Sequence, residues 1–255
     1  MSLYLSGTLW LIVVMIATAG LAVVSRKVRH KENREANNEL AGQVFTIVGG
    51  VNVVIAAFVL ISLFDAMDQA RDNSYEEANA LVGVKWASAA LPEPARGKVD
   101  ELTRSYAIEV KDREWAALRE GRPVDTDGWD MLGEIQRTID TAVTKNDRQE
   151  AGRSEAASRV WTVYQARQQR LNAASDGVSA VVWFAIMVGS VMSIALMFMF
   201  GGPKVFSYAI IVSMLAGSIG LLLFAIYQLQ NPFSGGASVG PEAFVSALAR
   251  LKQGG

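Results

Sequence analysis

Four stretches of the chain carry no charged side chain: residues 5–24, 44–64, 178–200 and 205–229, of 20, 21, 23 and 25 residues. An apolar helix of about 20 residues, rising about 1.5 Å per residue, matches the roughly 30 Å hydrocarbon core of a bilayer. Buried helices of soluble proteins are seldom so long and uninterrupted. Four such windows predict an all-α integral membrane protein with four transmembrane helices. The remaining residues divide accordingly. Residues 1–64 hold the first two spans and a basic connecting loop, 65–177 an extramembrane helical insert between the second and third spans, 178–229 the last two spans, and 230–255 a C-terminal tail.

Charge sets the expected topology. Ala17-Thr18-Ala19 resembles a signal-peptidase site, but no lysine or arginine precedes the first apolar run; Arg26, Lys27, Arg29, Lys31 and Arg34 follow it. The segment therefore reads as a retained helix whose C-terminal end faces the cytoplasm. With Lys204 that side carries six basic residues near the spans, against Arg71, Arg167 and Arg170 on the other. The positive-inside rule then places both chain ends and the insert outside the cytoplasm of a multi-pass membrane protein.

Within the insert, Ala78, Leu81, Val82, Trp86 and Ala89 continue the second span at helical spacing until Leu91-Pro92-Glu93-Pro94. A second stripe runs Val99, Leu102, Tyr106 and Val110 to Trp115 and Leu118, stopped by Gly121-Arg122-Pro123. A third, Leu132, Ile135, Ile139 and Val143, follows Asp125-Thr126-Asp127-Gly128. A fourth, from about Arg153, carries Val160, Val163, Tyr164 and Leu171. Four amphipathic helices predict a small bundle.

Catalytic chemistry has little to build on. The chain has no cysteine and one histidine, His30, in the basic loop, so disulfide, thiolate and zinc sites are excluded. Asp125, Asp127 and Asp130 fall short of a calcium loop, with Gln136 where a closing glutamate belongs. Glu76 and Glu77 are adjacent on a helix, point about 100° apart, and read as a solvated face. A net charge of −1 gives no field for nucleic acid. No ionisable group lies at mid-membrane, which argues against a proton relay. No enzyme, cofactor or metal is expected. Ser213 with Gly217, and Ala216 with Gly220, fit close helix packing, as do Gly49 and Gly50.

Glu77-Ala78-Asn79-Ala80-Leu81, Leu91-Pro92, Tyr106, Glu114-Trp115, Arg167, Arg170-Leu171, Trp183 and Pro232-Phe233-Ser234-Gly235 together resemble the bestrophin-like domain family of bacterial and plant membrane proteins. The resemblance covers nearly the whole chain. It implies kinship to bestrophins, pentameric anion channels lined by the second helix of each subunit, and so a homo-oligomeric anion pore in the plasma membrane. Helix two holds an amide well inside its span, Asn52, and Gly49, Asn52, Ala56, Val59 and Leu63 form a stripe at three-and-four spacing, which makes it the candidate lining. Asp65, Asp68, Arg71, Arg167 and Arg170 are the candidate mouth charges, and Glu114, Trp115, Pro232, Phe233 and Gly235 candidate structural positions. The alternative for Asn52 is a hydrogen bond to a neighbouring helix. The alternative function is a non-conducting envelope protein whose insert binds a protein partner.

Overall fold

The structure, a computed structural model, describes residues 3–28, 35–175, 177–200 and 205–253. The elements run α1 (Leu3–Val28), α2 (Glu35–Ser88), α3 (Ala95–Glu109), a π-helical turn (Val110–Glu114), α4 (Trp115–Arg119), α5 (Asp127–Asp140), α6 (Asp147–Ser175), α7 (Ala180–Met197), α8 (Val205–Leu229) and α9 (Glu242–Gln253). Helix accounts for 84% and no strand occurs among the described residues, so the chain is all-α. Among the described residues, four helical stretches are long and apolar enough to cross a membrane: Gly7–Val24, Ala41–Ser88, Asp147–Met197 and Val205–Leu229. Of the basic loops, Arg29, His30, Lys31, Arg34 and Lys204 lie outside the described residues, as does the Gly201-Gly202 turn. Two compact units result, residues 1–64 with 178–230, and residues 65–177 with 231–255.

In the first unit α1 packs along α8. Lipid tails are as apolar as leucine, so close van der Waals contact drives such packing rather than burial from water. A Cβ at Gly217 would lie 2.9 Å from Met15 Sδ, and one at Gly220 3.2 Å from both Leu11 and Trp10. The small residues of α8 thus admit α1. Gly49 and Gly50 differ, since nothing lies within 4 Å of either added Cβ. Ser213 and Ser218 donate to the carbonyls of Ile210 and Met214 in their own helix, which satisfies their hydroxyls without a partner helix.

The second unit closes over Leu81, Val84, Val99, Leu132, Ile135, Ile139, Val160 and Val163, joined by Phe233, Phe244 and Leu251 from the C-terminal segment. Each large side chain buried here contributes about 1.5–3 kcal/mol relative to exposure. Trp86 departs from its expected stripe: it is exposed, with the Arg250 guanidinium 5.4 Å from its ring centroid. Val143 is exposed because α5 ends at Asp140. α6 starts earlier than expected, where Asn146 Oδ1 accepts from the Gln149 N–H, an Asx cap at the helix start. Gly121 (φ 66°) and Gly235 (φ 85°) turn the chain in the left-handed region open to glycine. α9 lays Ala243, Phe244, Ala247 and Leu251 into the core. The buried Lys85 ammonium contacts the Leu251 carbonyl and lies 2.7 Å from Asp100, a cation at the C-terminal end of α9 where the helix dipole favours it.

Candidate functional site

Two features of the chain stand out chemically: the faces of α2, and a buried charge cluster in the second unit.

The stripe expected to line a pore is the face of α2 that the first unit packs. Asn52, Ala56, Val59 and Leu63 are buried and Gly49 half-buried. Ala56, Val59 and Leu63 form one apolar cluster with Ile186 of α7 and Ile226 of α8. Asn52 Nδ2 donates to Ser190 Oγ at 3.3 Å, and a Cβ on Gly189 would sit 2.3 Å from Asn52 Oδ1. Within the chain, then, the amide bonds a neighbouring helix rather than facing water. The physical reason is that small and amide side chains suit helix packing in lipid as well as they suit a channel wall. About 150° around the helix lie Gly50, Val54, Ala57 and Ile61, all exposed. Val54 and Ile61 keep more than half their surface uncovered.

In the second unit Asp65, Asp68, Arg71 and Asp72 are exposed on α2, whereas Arg167 and Arg170 of α6 have no exposed surface. Arg170 grips Glu77 with two bonds, Nε to Oε2 at 2.6 Å and Nη2 to Oε1 at 3.1 Å. Its Nη2 also donates to Glu114 Oε2 at 2.8 Å, and Arg167 Nη1 donates to the same oxygen at 2.8 Å. Arg167 Nη1 meets the Tyr106 hydroxyl at 3.3 Å, and that hydroxyl donates to Glu77 Oε1. Two carboxylates and two guanidinium groups cancel, as buried charges must. Aromatic faces flank the cations: Trp129 lies 4.6 Å from Arg167, and Trp115 5.3 Å from Arg170, a favourable quadrupole contact in a dry site. Thus Glu77 is not on a solvated face, and Arg167 and Arg170 present no charge to water.

The π turn explains how Glu114 arrives there. Residues eight apart in an unbroken α-helix lie about 80° apart around the axis. The wider turn at Val110–Glu114 absorbs one residue, returning Glu114 to the face of Tyr106. Trp115 follows, its Nε1 donating to the Val239 carbonyl at 3.1 Å and its ring meeting Phe233 edge-on at 5.5 Å. Pro232 and Phe233 are buried, and the Phe233 N–H donates to Asn231 Oδ1. Gly128, at the start of α5, touches the pair itself: a Cβ there would lie 2.4 Å from Glu114 Oε1 and 2.5 Å from Arg167 Nη2.

Burial alone would pull the Arg170 guanidinium down, but Glu77 and Glu114 more than offset it and hold its pKa above the usual arginine value. Burial, then the Glu77 charge, push the Tyr106 phenol well above its ordinary range. Both groups keep their protons at any physiological pH. Such a cluster fixes the second unit without offering an acid, base or ligand site. Among the described residues no three His, Asp or Glu side chains gather as a metal site.

The Bestrophin-like domain matches residues 12–244. The chain belongs to the bestrophin-like domain family. Solved structures agree in fold. A crystal structure of a point mutant of a bacterial bestrophin homologue from Klebsiella pneumoniae superposes with TM-score 0.69 at 11% identity, covering 95% of this chain and 98% of that one. Two crystal structures of point mutants described as a membrane protein give TM-scores of 0.65 at 11% identity, covering 97% of this chain and 98% of that in one case, and 95% and 96% in the other. No curated protein matches the sequence. Of the residues that carry this bestrophin-like chain's resemblance, the fold draws Glu77, Tyr106, Glu114, Trp115, Arg167 and Arg170 into one cluster.

Proposed function

We propose that copies of this bestrophin-like chain assemble in the bilayer around an ion-conducting pore lined by α2, with the insert placed between the second and third spans. The observation that carries the reading is the match to the Bestrophin-like domain over residues 12–244. The wall of the pore is the face of α2 that the chain leaves uncovered: Gly50, Val54, Ala57 and Ile61. Apolar side chains at Val54 and Ile61 suit a constriction that gates by wetting. The positive-inside count supports an insert and chain ends outside the cytoplasm.

Kinship with bestrophins supports anion conduction. A second reading, cation conduction, has its own observation. Of the three arginines expected at the mouth, Arg167 and Arg170 are consumed by Glu77 and Glu114, leaving Arg71 beside exposed Asp65, Asp68 and Asp72. Rings of aspartate favour cations. Planar-bilayer recording of the purified protein in asymmetric salt decides between them by the sign of the reversal potential. The triple change Asp65→Asn, Asp68→Asn, Asp72→Asn should shift that potential toward chloride. Absence of current from a well-assembled preparation favours instead a non-conducting protein whose insert binds a partner.

A further inference from the structure

One face of α6 has an unusual composition. Ser154, Ser158, Trp161, Gln165, Gln168 and Asn172 follow one another at intervals of four, three, four, three and four residues, the spacing of a helix–helix seam. All six are exposed, and Trp161 keeps 63% of its surface open. None is charged, although residues 65–177 carry 16 basic and 21 acidic side chains, one residue in three. Between Ser154 and Asn172 the charges of α6 lie off this strip, with Arg159 bonded to Glu155 at 2.6 Å; Asp147 and Glu150 lie on its line before Ser154, and Glu150 is paired with Arg153 at 2.7 Å. Interface centres are depleted in charge and enriched in tryptophan, whereas a solvated helix face is not.

We infer that this strip is where the insert of one copy meets a second copy of the same chain, an inference that rests on the oligomeric pore proposed above. Two arguments select that occupant. Sixteen basic and 21 acidic residues give each insert a net charge of −5, so neighbouring inserts repel unless they approach through a neutral face. The strip is also small. Its 19 residues span about 27 Å and a helix is about 10 Å wide, so it covers roughly 300 Å², well short of the ~800 Å² that each partner of a standard complex buries. A free soluble protein would hold to it weakly. A second copy already tethered in the same membrane assembly meets it at roughly millimolar effective concentration, where a small contact suffices. Ser154 and Ser158 leave room for a close helix, and Trp161 anchors the centre.

The chain has no cysteine, so Ser158→Cys introduces one unique thiol. In the full chain, reconstituted in nanodiscs, maleimide should react at least about tenfold more slowly with the assembled protein than with dilute, dissociated chains, as expected of a group inside a water-excluding contact. Trp161→Arg should lower the assembled fraction in mass measurements while helicity and thermal unfolding of the single chain stay as in wild type, since the side chain is exposed. Equal labelling of both states with unchanged assembly of Trp161→Arg overturns the inference and leaves the strip to another protein. A wild-type chain that stays monomeric and passes no current overturns the pore reading as well, so the two failures are distinct.

Discussion

Replacing Glu114 by glutamine tests whether the buried cluster behaves as one unit. Glu114 is the carboxylate shared by two guanidinium groups, each at 2.8 Å, and it is 4% exposed. Glutamine keeps its volume, removes its charge and turns an NH₂ toward one arginine, leaving two buried cations against Glu77 alone. Breaking a buried pair by removing one partner costs about 3–5 kcal/mol, a large part of the 5–15 kcal/mol that typically holds a domain. Adding Arg167→Met restores neutrality, and the methionine packs against Tyr106 and Trp129 where the guanidinium now stacks. The double variant should therefore recover at least ~2 kcal/mol of the single loss. Denaturant unfolding of the full chain in detergent, followed by circular dichroism, reads both. If the effects of Glu114→Gln and Arg167→Met simply add to within about 0.5 kcal/mol, the charges are independent and the account of the cluster is wrong.

Gly128→Ala should destabilise by roughly 3 kcal/mol, because its methyl would displace Glu114 or Arg167; a gain of about 1 kcal/mol in the same unfolding assay, the ordinary advantage of alanine in a helix, would refute the close approach. The raised Tyr106 pKa means that the folded state holds a proton the unfolded chain releases near pH 10, so stability is intact below that pH and falls as pH rises above it. Ultraviolet titration should show the Tyr106 phenolate appearing only with unfolding, and Tyr106→Phe should flatten that loss. For orientation, Asp125→Cys, in an exposed loop of the insert, should react with an impermeant thiol reagent in intact cells while Asn37→Cys does not; the opposite pattern places the insert in the cytoplasm.

The membrane helices were legible because a span leaves a one-dimensional mark, a run without charge, and α1, α2, α7 and α8 fall on the four runs. Which side of α2 is packed was not legible. Asn52 and Ala56 are polar or small, and those properties serve contact with Ser190 and Ile186 as well as they serve a pore wall. The burial of Arg167 and Arg170 depends on Glu77 and Glu114, 93 and 53 residues away along the chain, beyond any local pattern. A signal did exist: Val160, Val163, Arg167 and Arg170 continue one core stripe at three-and-four spacing, so two arginines stand where apolar residues belong. α9 carried an equally plain stripe, Ala243, Phe244, Ala247 and Leu251, inside a segment read only as a tail.

Cysteine accessibility on α2 during single-channel recording bears on the central claim most directly, because the protein lacks any native cysteine. Val54→Cys and Ile61→Cys, on the uncovered face, should each let a charged thiol reagent block the current, while Ala56→Cys and Val59→Cys, packed against α7 and α8, should not. Block at Ala56→Cys and Val59→Cys with none at Val54→Cys and Ile61→Cys would contradict the account and put the other face of α2 on the pore.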